Sequence, residues 1–215
     1  MFEERTTEIA EKRGKSPIFD GIVNEEAYKN AETKILWVLK EANSTGEDGE
    51  WDLRGAIDNL KTDKGIKNGW EKTFRKIIYV TNGIINGTEW DDIPYTNEDP
   101  SIIDVLKKIA YINIKKVGGI SKANDNELQE YYNESKDLLI DQINAYSPDV
   151  IIFGNTYRFF QNDLGLPDFK VFGTCHAVKK SNVIYIDAYH PGSRISEEDY
   201  FKDIIEAYNS FRNRE

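Results

Sequence analysis

Ile35-Leu-Trp-Val-Leu39, followed at once by Lys40-Glu-Ala-Asn-Ser-Thr-Gly-Glu-Asp-Gly49, is an unbroken apolar run that stops in a polar loop. A strand with one wet face alternates apolar and polar residues. A run that is apolar at every position belongs to a strand covered on both faces, as in parallel sheets. Asp149-Val-Ile-Ile-Phe153, ended by Gly154-Asn155, repeats the pattern, and Ala110-Tyr-Ile-Asn-Ile114 and Val183-Ile-Tyr-Ile-Asp187 are shorter versions. Phe169-Lys-Val-Phe172 reads either as a further edge strand or as loop.

Helical patterns fall between these runs. Trp70, Phe74, Ile77 and Ile78 share one helical face, and Asp99-Pro100 caps and opens a helix holding Ile102, Ile103 and Leu106. Leu128, Tyr131, Tyr132, Leu139, Ile143 and Tyr146 form a stripe that must stop before Ser147-Pro148. Ser196 and Asp199 make a capping box for a last helix carrying Phe201, Ile204, Ile205, Tyr208 and Phe211. Strands alternating with helices imply βαβ crossovers and a parallel sheet. The expected fold is therefore α/β: a three-layer αβα sandwich around a central, mostly parallel four-stranded sheet. Residues 1–16 read as a polar N-terminal arm, mobile or a short helix, and residues 17–215 as a single domain.

Composition narrows the function classes. With 39% hydrophobic and 31% charged residues, both signs interspersed, the chain reads as globular. Cysteine occurs once, at Cys175, so no intrachain disulfide and no cysteine cage for zinc or an iron–sulfur cluster can form. No metal and no cofactor is expected. Met1-Phe-Glu-Glu-Arg5 lacks the regions of a signal peptide, and the apolar runs are far too short to span a membrane. A cytoplasmic protein without membrane partners is the expectation. The net charge of −10 opposes extended, non-specific nucleic-acid binding but leaves room for a local basic patch.

In open parallel sheets, ligands lie beyond the carboxyl ends of the strands. Four segments fall there: Leu39-Lys-Glu-Ala-Asn-Ser-Thr-Gly-Glu-Asp48, Tyr111-Ile-Asn-Ile-Lys-Lys116, Ser147-Pro-Asp-Val-Ile-Ile-Phe-Gly154 and Tyr189-His-Pro-Gly-Ser-Arg194. Together, over residues 35–194, they resemble the uracil-DNA glycosylase superfamily, above all its iron–sulfur branch. The first is similar to that branch's Gly-Glu-Ala-Pro-Gly-x-x-Glu-Asp loop, with Glu41, Ala42, Glu47 and Asp48 in register. The second is similar to a strand ending in asparagine and then lysine, the third to Pro-x-Val-Ile-Val-x-x-Gly, and the fourth to the His-Pro-Ser motif. There are departures. Asn43-Ser44 replaces Pro-Gly, Ser193 is displaced by one, no aspartate matches the general base of the best-known branch, and the cluster cysteines are missing, with Val117 near one of their places.

The resemblance implies hydrolysis of the N-glycosidic bond of a damaged or deaminated base in DNA, single-stranded or mismatched. Cleavage releases the base as an anion, so a site must hold the flipped base, stabilise negative charge and place a water. The resemblance then assigns His190 to the leaving base and Asn113 to the base edge, with Trp51 as the stacking ring. Water placement falls to the first loop through Glu41, Asn43 or Asp48. Gly154, Asn155, Ser193 and Arg194 are the further contact candidates. Lys115, Lys116, Lys179, Lys180 and Arg194, all expected at the carboxyl edge, would hold a short stretch of phosphate backbone.

Each of these residues also has a plainer reading. His190 and Asn113 are suited to capping a backbone, Trp51 to packing, and the loop carboxylates and lysine pairs to a solvated face. His176 beside Cys175 reads as structural. The alternative function is a protein that binds a nucleobase, nucleotide or nucleic-acid end on the same fold without cleaving it. A third possibility is a scaffold whose pocket has closed.

Overall fold

The computed structural model describes residues 1–42, 49, 51–119 and 124–212. Seven strands form the main sheet: β1 (Gly21–Ile22), β2 (Ile35–Leu39), β3 (Ile109–Asn113), β4 (Val150–Gly154), β5 (Lys170–Phe172), β6 (Cys175–Lys180) and β7 (Val183–Ala188). Their spatial order is β1-β3-β2-β4-β7-β6-β5. The four apolar runs are its parallel centre: β2 pairs parallel with β3 and β4, and β7 pairs parallel with β4. The expected four-stranded sheet is thus too small. Antiparallel rims extend it to seven strands, with β1 against β3 on one side and β6 and β5 beyond β7 on the other.

β6 escaped the sequence reading for a physical reason. Near the edge of a sheet one face can be partly wet, so exposed His176 and Lys180 are interspersed with buried Cys175, Ala177 and Val178, and no continuous apolar run results.

Side chains of β2 alternate between two cores, as the two-residue period of a strand requires. Ile35, Trp37 and Leu39 face one helical layer, and Leu36 and Val38 face the other. All five are fully buried, each large aliphatic side chain stabilising the fold by about 1.5–3 kcal/mol. Besides two short helices, Glu25–Lys29 and Leu53–Asp58, the α-helices are α1 (Phe2–Lys12), α2 (Glu71–Asn86), α3 (Asp125–Tyr146), α4 (Tyr157–Leu164) and α5 (Glu197–Arg212). α2 and α5 cover the first face; α3, α4 and Ala10 of α1 cover the second. The segment 100–108, capped by Asp99, is a 3-10 run rather than an α-helix.

Local signals fix the helix ends. α2 stops at Gly87 with a left-handed φ of 66°, and α3 stops at Ser147, φ 46°, just before Pro148. The Ser196 hydroxyl accepts from the Asp199 amide at 3.0 Å and opens α5. The polar N-terminal segment is a helix docked on α3, through Arg5–Asp141 and Arg13–Glu134 ion pairs of 2.6 Å and an edge-to-face Phe2–Tyr146 contact. Among the described residues no helix is long and apolar enough to cross a membrane.

Candidate functional site

The ends of β3 and β7 lie three strand spacings apart, roughly 14 Å at about 4.8 Å per step. The chain after β7 narrows that gap. Gly154 ends β4 without a side chain; a Cβ there would run into Leu39 and sit 3.1 Å from Pro191 Cδ. The His190-Pro191-Gly192 turn can therefore fold back over the end of β4. The role of Gly154 in the structure is this close packing.

The first turn of α2 closes the opposite side. Phe74 stacks on Tyr111 of β3 at 5.7 Å, Trp70 packs on Phe74 at 5.3 Å, and Trp51 meets Trp70 edge-on at 6.0 Å. Thr73, one turn in, borders Gly192. One helix start thus links the β3 end to the His190 loop, with partly buried Trp51 at the outer end of the aromatic row.

Asn113 is 1% exposed, and neither its amide oxygen nor its amide nitrogen has a hydrogen-bond partner among the described residues. Its backbone, by contrast, is anchored. The Asn113 N–H donates to Asp20 Oδ2 at 2.8 Å, and Asp20 also accepts from Lys116 Nζ at 2.7 and 2.8 Å and from Gln142 Nε2 at 3.1 Å. A fixed backbone carrying an unpaired buried amide is an arrangement with an open valence, since interior polar groups are almost always bonded.

His190 is held as one neutral tautomer. Its Nδ1 accepts from the Gly192 N–H at 3.0 Å, which leaves the proton on Nε2. Burial, followed by the positive charges of Lys40, Lys72 and Lys76, pushes its pKa from the usual 6.5 down to about 4. The ring is therefore an uncharged donor at neutral pH, set among three cations. The unfolded chain takes up this proton near pH 6.5, the folded chain only near 4. The resulting stability is present above pH 6.5 and lost as pH falls to 4, at most about 3 kcal/mol. Urea melts of the wild type and His190→Asn between pH 7 and 4 should therefore converge toward the acid end. Parallel curves would show that the imidazole is not held neutral.

Several expected site residues are occupied elsewhere. Lys116 is fully buried against Asp20 and Gln142, and Lys115 is 5% exposed, paired with Glu41 at 3.1 Å and Glu127 at 3.0 Å. Neither presents a surface cation. Glu41 lies against Gly119, where any Cβ would collide with its carboxylate. Lys179 and Lys180 are not at the carboxyl edge: β6 runs antiparallel to β7, and Lys180 pairs with Val183 at the amino end. Asn155 adopts φ 62° and its Oδ1 accepts from Arg158 at 2.6 Å. Ser193 Oγ is buried and unpartnered among the described residues, and Arg194 is exposed. Cys175 is buried, its thiol pushed up to about 12 by burial first, and His176 stands across from Asp187 on the exposed side of β6. Asn43, Glu47 and Asp48 lie outside the described residues.

The positive charge of the site comes instead from Lys40, Lys72 and Lys76, which the sequence reading passed over. Lys40 directly follows β2 and was legible from that position alone. Lys72 and Lys76 are one turn apart on α2, Lys72 exposed and Lys76 buried among the apolar residues of that helix. Among the described residues no group of three or more His, Cys, Asp or Glu could hold a metal.

No protein-family model matches this chain, and no curated protein matches it. Among solved structures, the wild-type UNG of Nitratifractor salsuginis, a uracil-DNA glycosylase, is similar at a TM-score of 0.41 and 12% identity, over 83% of this chain and 72% of that one. At this TM-score the likeness bears on neither fold nor activity.

Proposed function

We propose that this protein is a glycosylase of the uracil-DNA glycosylase kind, hydrolysing the N-glycosidic bond of a damaged or deaminated base in DNA. The observation that carries this reading is the Asn113 side-chain amide, 1% exposed and with neither end paired among the described residues. Each such group costs on the order of 1–3 kcal/mol in an interior, a cost that a ligand presenting an adjacent donor and acceptor offsets. Uracil and hypoxanthine present that edge as a ring N–H beside a carbonyl.

In the proposed reaction Asn113 holds the base and Trp51 offers a ring to it. As the C1′–N bond breaks, its electron pair passes to the base. His190 Nε2–H donates to the base oxygen on which charge gathers, and Lys40 and Lys72 favour that anion. Water adds its oxygen to C1′ and releases its proton to solvent. Exposed Lys72 and Arg194 hold adjacent phosphates. The acidic body of the protein limits that footprint, which suits a single strand or a mismatch.

One observation favours the second reading, binding without cleavage: Glu41, the carboxylate of the first loop that is described, is tied to Lys115. Release of uracil, hypoxanthine, xanthine or an oxidised base from labelled oligonucleotides, single- and double-stranded, decides between the two. The wild type should release at least one base. Asn113→Leu should lose about a hundredfold or more of that rate while melting no lower than wild type, because it removes an unpaired polar group. No release by folded protein, with calorimetric binding of a base or nucleotide, would replace the glycosylase reading with the binding one.

A further inference from the structure

α2 buries Phe74, Ile77, Ile78 and Val80, and in their midst Lys76, which is 5% exposed. Burying an ammonium is costly unless its donors are satisfied. Lys76 Nζ donates to Ser193 O at 3.0 Å and Ile195 O at 2.6 Å, and lies 5.2 Å from the centre of the Tyr200 ring. Glu197, the carboxylate whose charge acts on it, forms its ion pair with Arg75 instead, at 3.2 Å. Its partners are two carbonyls of one loop, the loop that carries His190. Within that loop Ser193 N–H donates to His190 O at 2.8 Å and Gly192 N–H to His190 Nδ1 at 3.0 Å. A continuous set of bonds thus runs from the Lys76 ammonium to the imidazole. At the other end of the loop Tyr200 Oη donates to Tyr189 O at 2.9 Å.

We propose that Lys76 is a positioning residue, whose buried ammonium clamps the 193–195 backbone and through it fixes the place and tautomer of the His190 ring. Its use in base excision rests on the glycosylase reading; the clamp itself does not. An apolar side chain would suit the helix core better, so the lysine is explained by the loop rather than by the helix. A long stem with several donors on its tip can reach from the helix to two carbonyls at once.

The test is NMR on folded, nitrogen-labelled protein, reading the His190 titration and the exchange rate of the Gly192 amide. The charged groups acting on His190 are Lys40, Lys72 and Lys76. Loss of Lys72 therefore serves as a control that removes charge without touching the clamp. In Lys76→Met the Gly192 amide should exchange at least about tenfold faster, and the His190 midpoint should rise from about 4 toward 6.5. Lys72→Met should raise the midpoint and leave the Gly192 amide protected. Lys76→Gln, which keeps a donor for one carbonyl, should fall between wild type and Lys76→Met, and decides the matter alone if the methionine variant does not fold. An unchanged Gly192 amide in either folded Lys76 variant overturns the clamp. If the wild type releases no base from any oligonucleotide, the excision reading fails, and the exchange data still judge the clamp.

Discussion

Lys116→Met is expected to cost about 3–5 kcal/mol of stability, lowering the thermal midpoint by roughly 6–20 °C in a chain of this size. The reason is what stays behind. The Asp20 side chain is 1% exposed, and without Lys116 its carboxylate keeps, among the described residues, the Asn113 backbone N–H and the Gln142 side chain as partners. Removing one member of a buried pair leaves a naked charge, which costs far more than the pair contributes relative to an apolar replacement. Adding Asp20→Leu should recover only part of the loss, because the carboxylate also satisfies the Asn113 N–H at the end of β3. Urea or thermal melts check both variants. A single-variant loss below about 1 kcal/mol would mean that water reaches the pair.

His190→Ala is expected to lower the single-turnover rate of base release by about a hundred- to a thousandfold, with little change in oligonucleotide affinity. The affinity should hold because Asn113, Lys72 and Arg194 are untouched. The rate should fall because the donor is a neutral Nε2–H, fixed by the Gly192 bond to Nδ1 and in place before charge develops. A charged imidazolium would attract phosphate in the ground state as well, and its loss would appear in affinity instead. A variant that keeps a third or more of the wild-type rate would exclude His190 from stabilising the leaving base.

The parallel centre of the sheet was readable because burial on both faces leaves no choice of residue type, so Ile35–Leu39 and Val150–Phe153 are apolar without interruption. The rims were not, because β6 mixes exposed His176 and Lys180 with buried Cys175, Ala177 and Val178, and β1 has just two residues. The same physics divides the site. His190 and Asn113 stand at strand ends, a place set by topology, and were legible there. Whether a nearby lysine is bound inside or faces solvent depends on partners distant in the chain. Lys116 meets Asp20 and Gln142, and Lys76 meets Ser193 and Ile195, pairings that no local pattern encodes. Lys179 and Lys180 were misplaced for a simpler reason: one tight reversal after β6 exchanges the two ends of the sheet.

That reversal leaves a further consequence. β5 covers β6 only from Cys175 to Ala177, so the outer margin of β6 is uncovered by β5 from Val178 to Lys180. The open edge of a sheet in general invites a strand from another molecule, and lysines on an edge strand are a recurrent guard against such recruitment. Two of the three residues on this stretch are lysines, and at the far margin β1 offers only Gly21 and Ile22. With a net charge of −10 on every copy, a crowded solution of this protein meets short, guarded borders and mutual repulsion, conditions that oppose growth of the sheet from one molecule into the next.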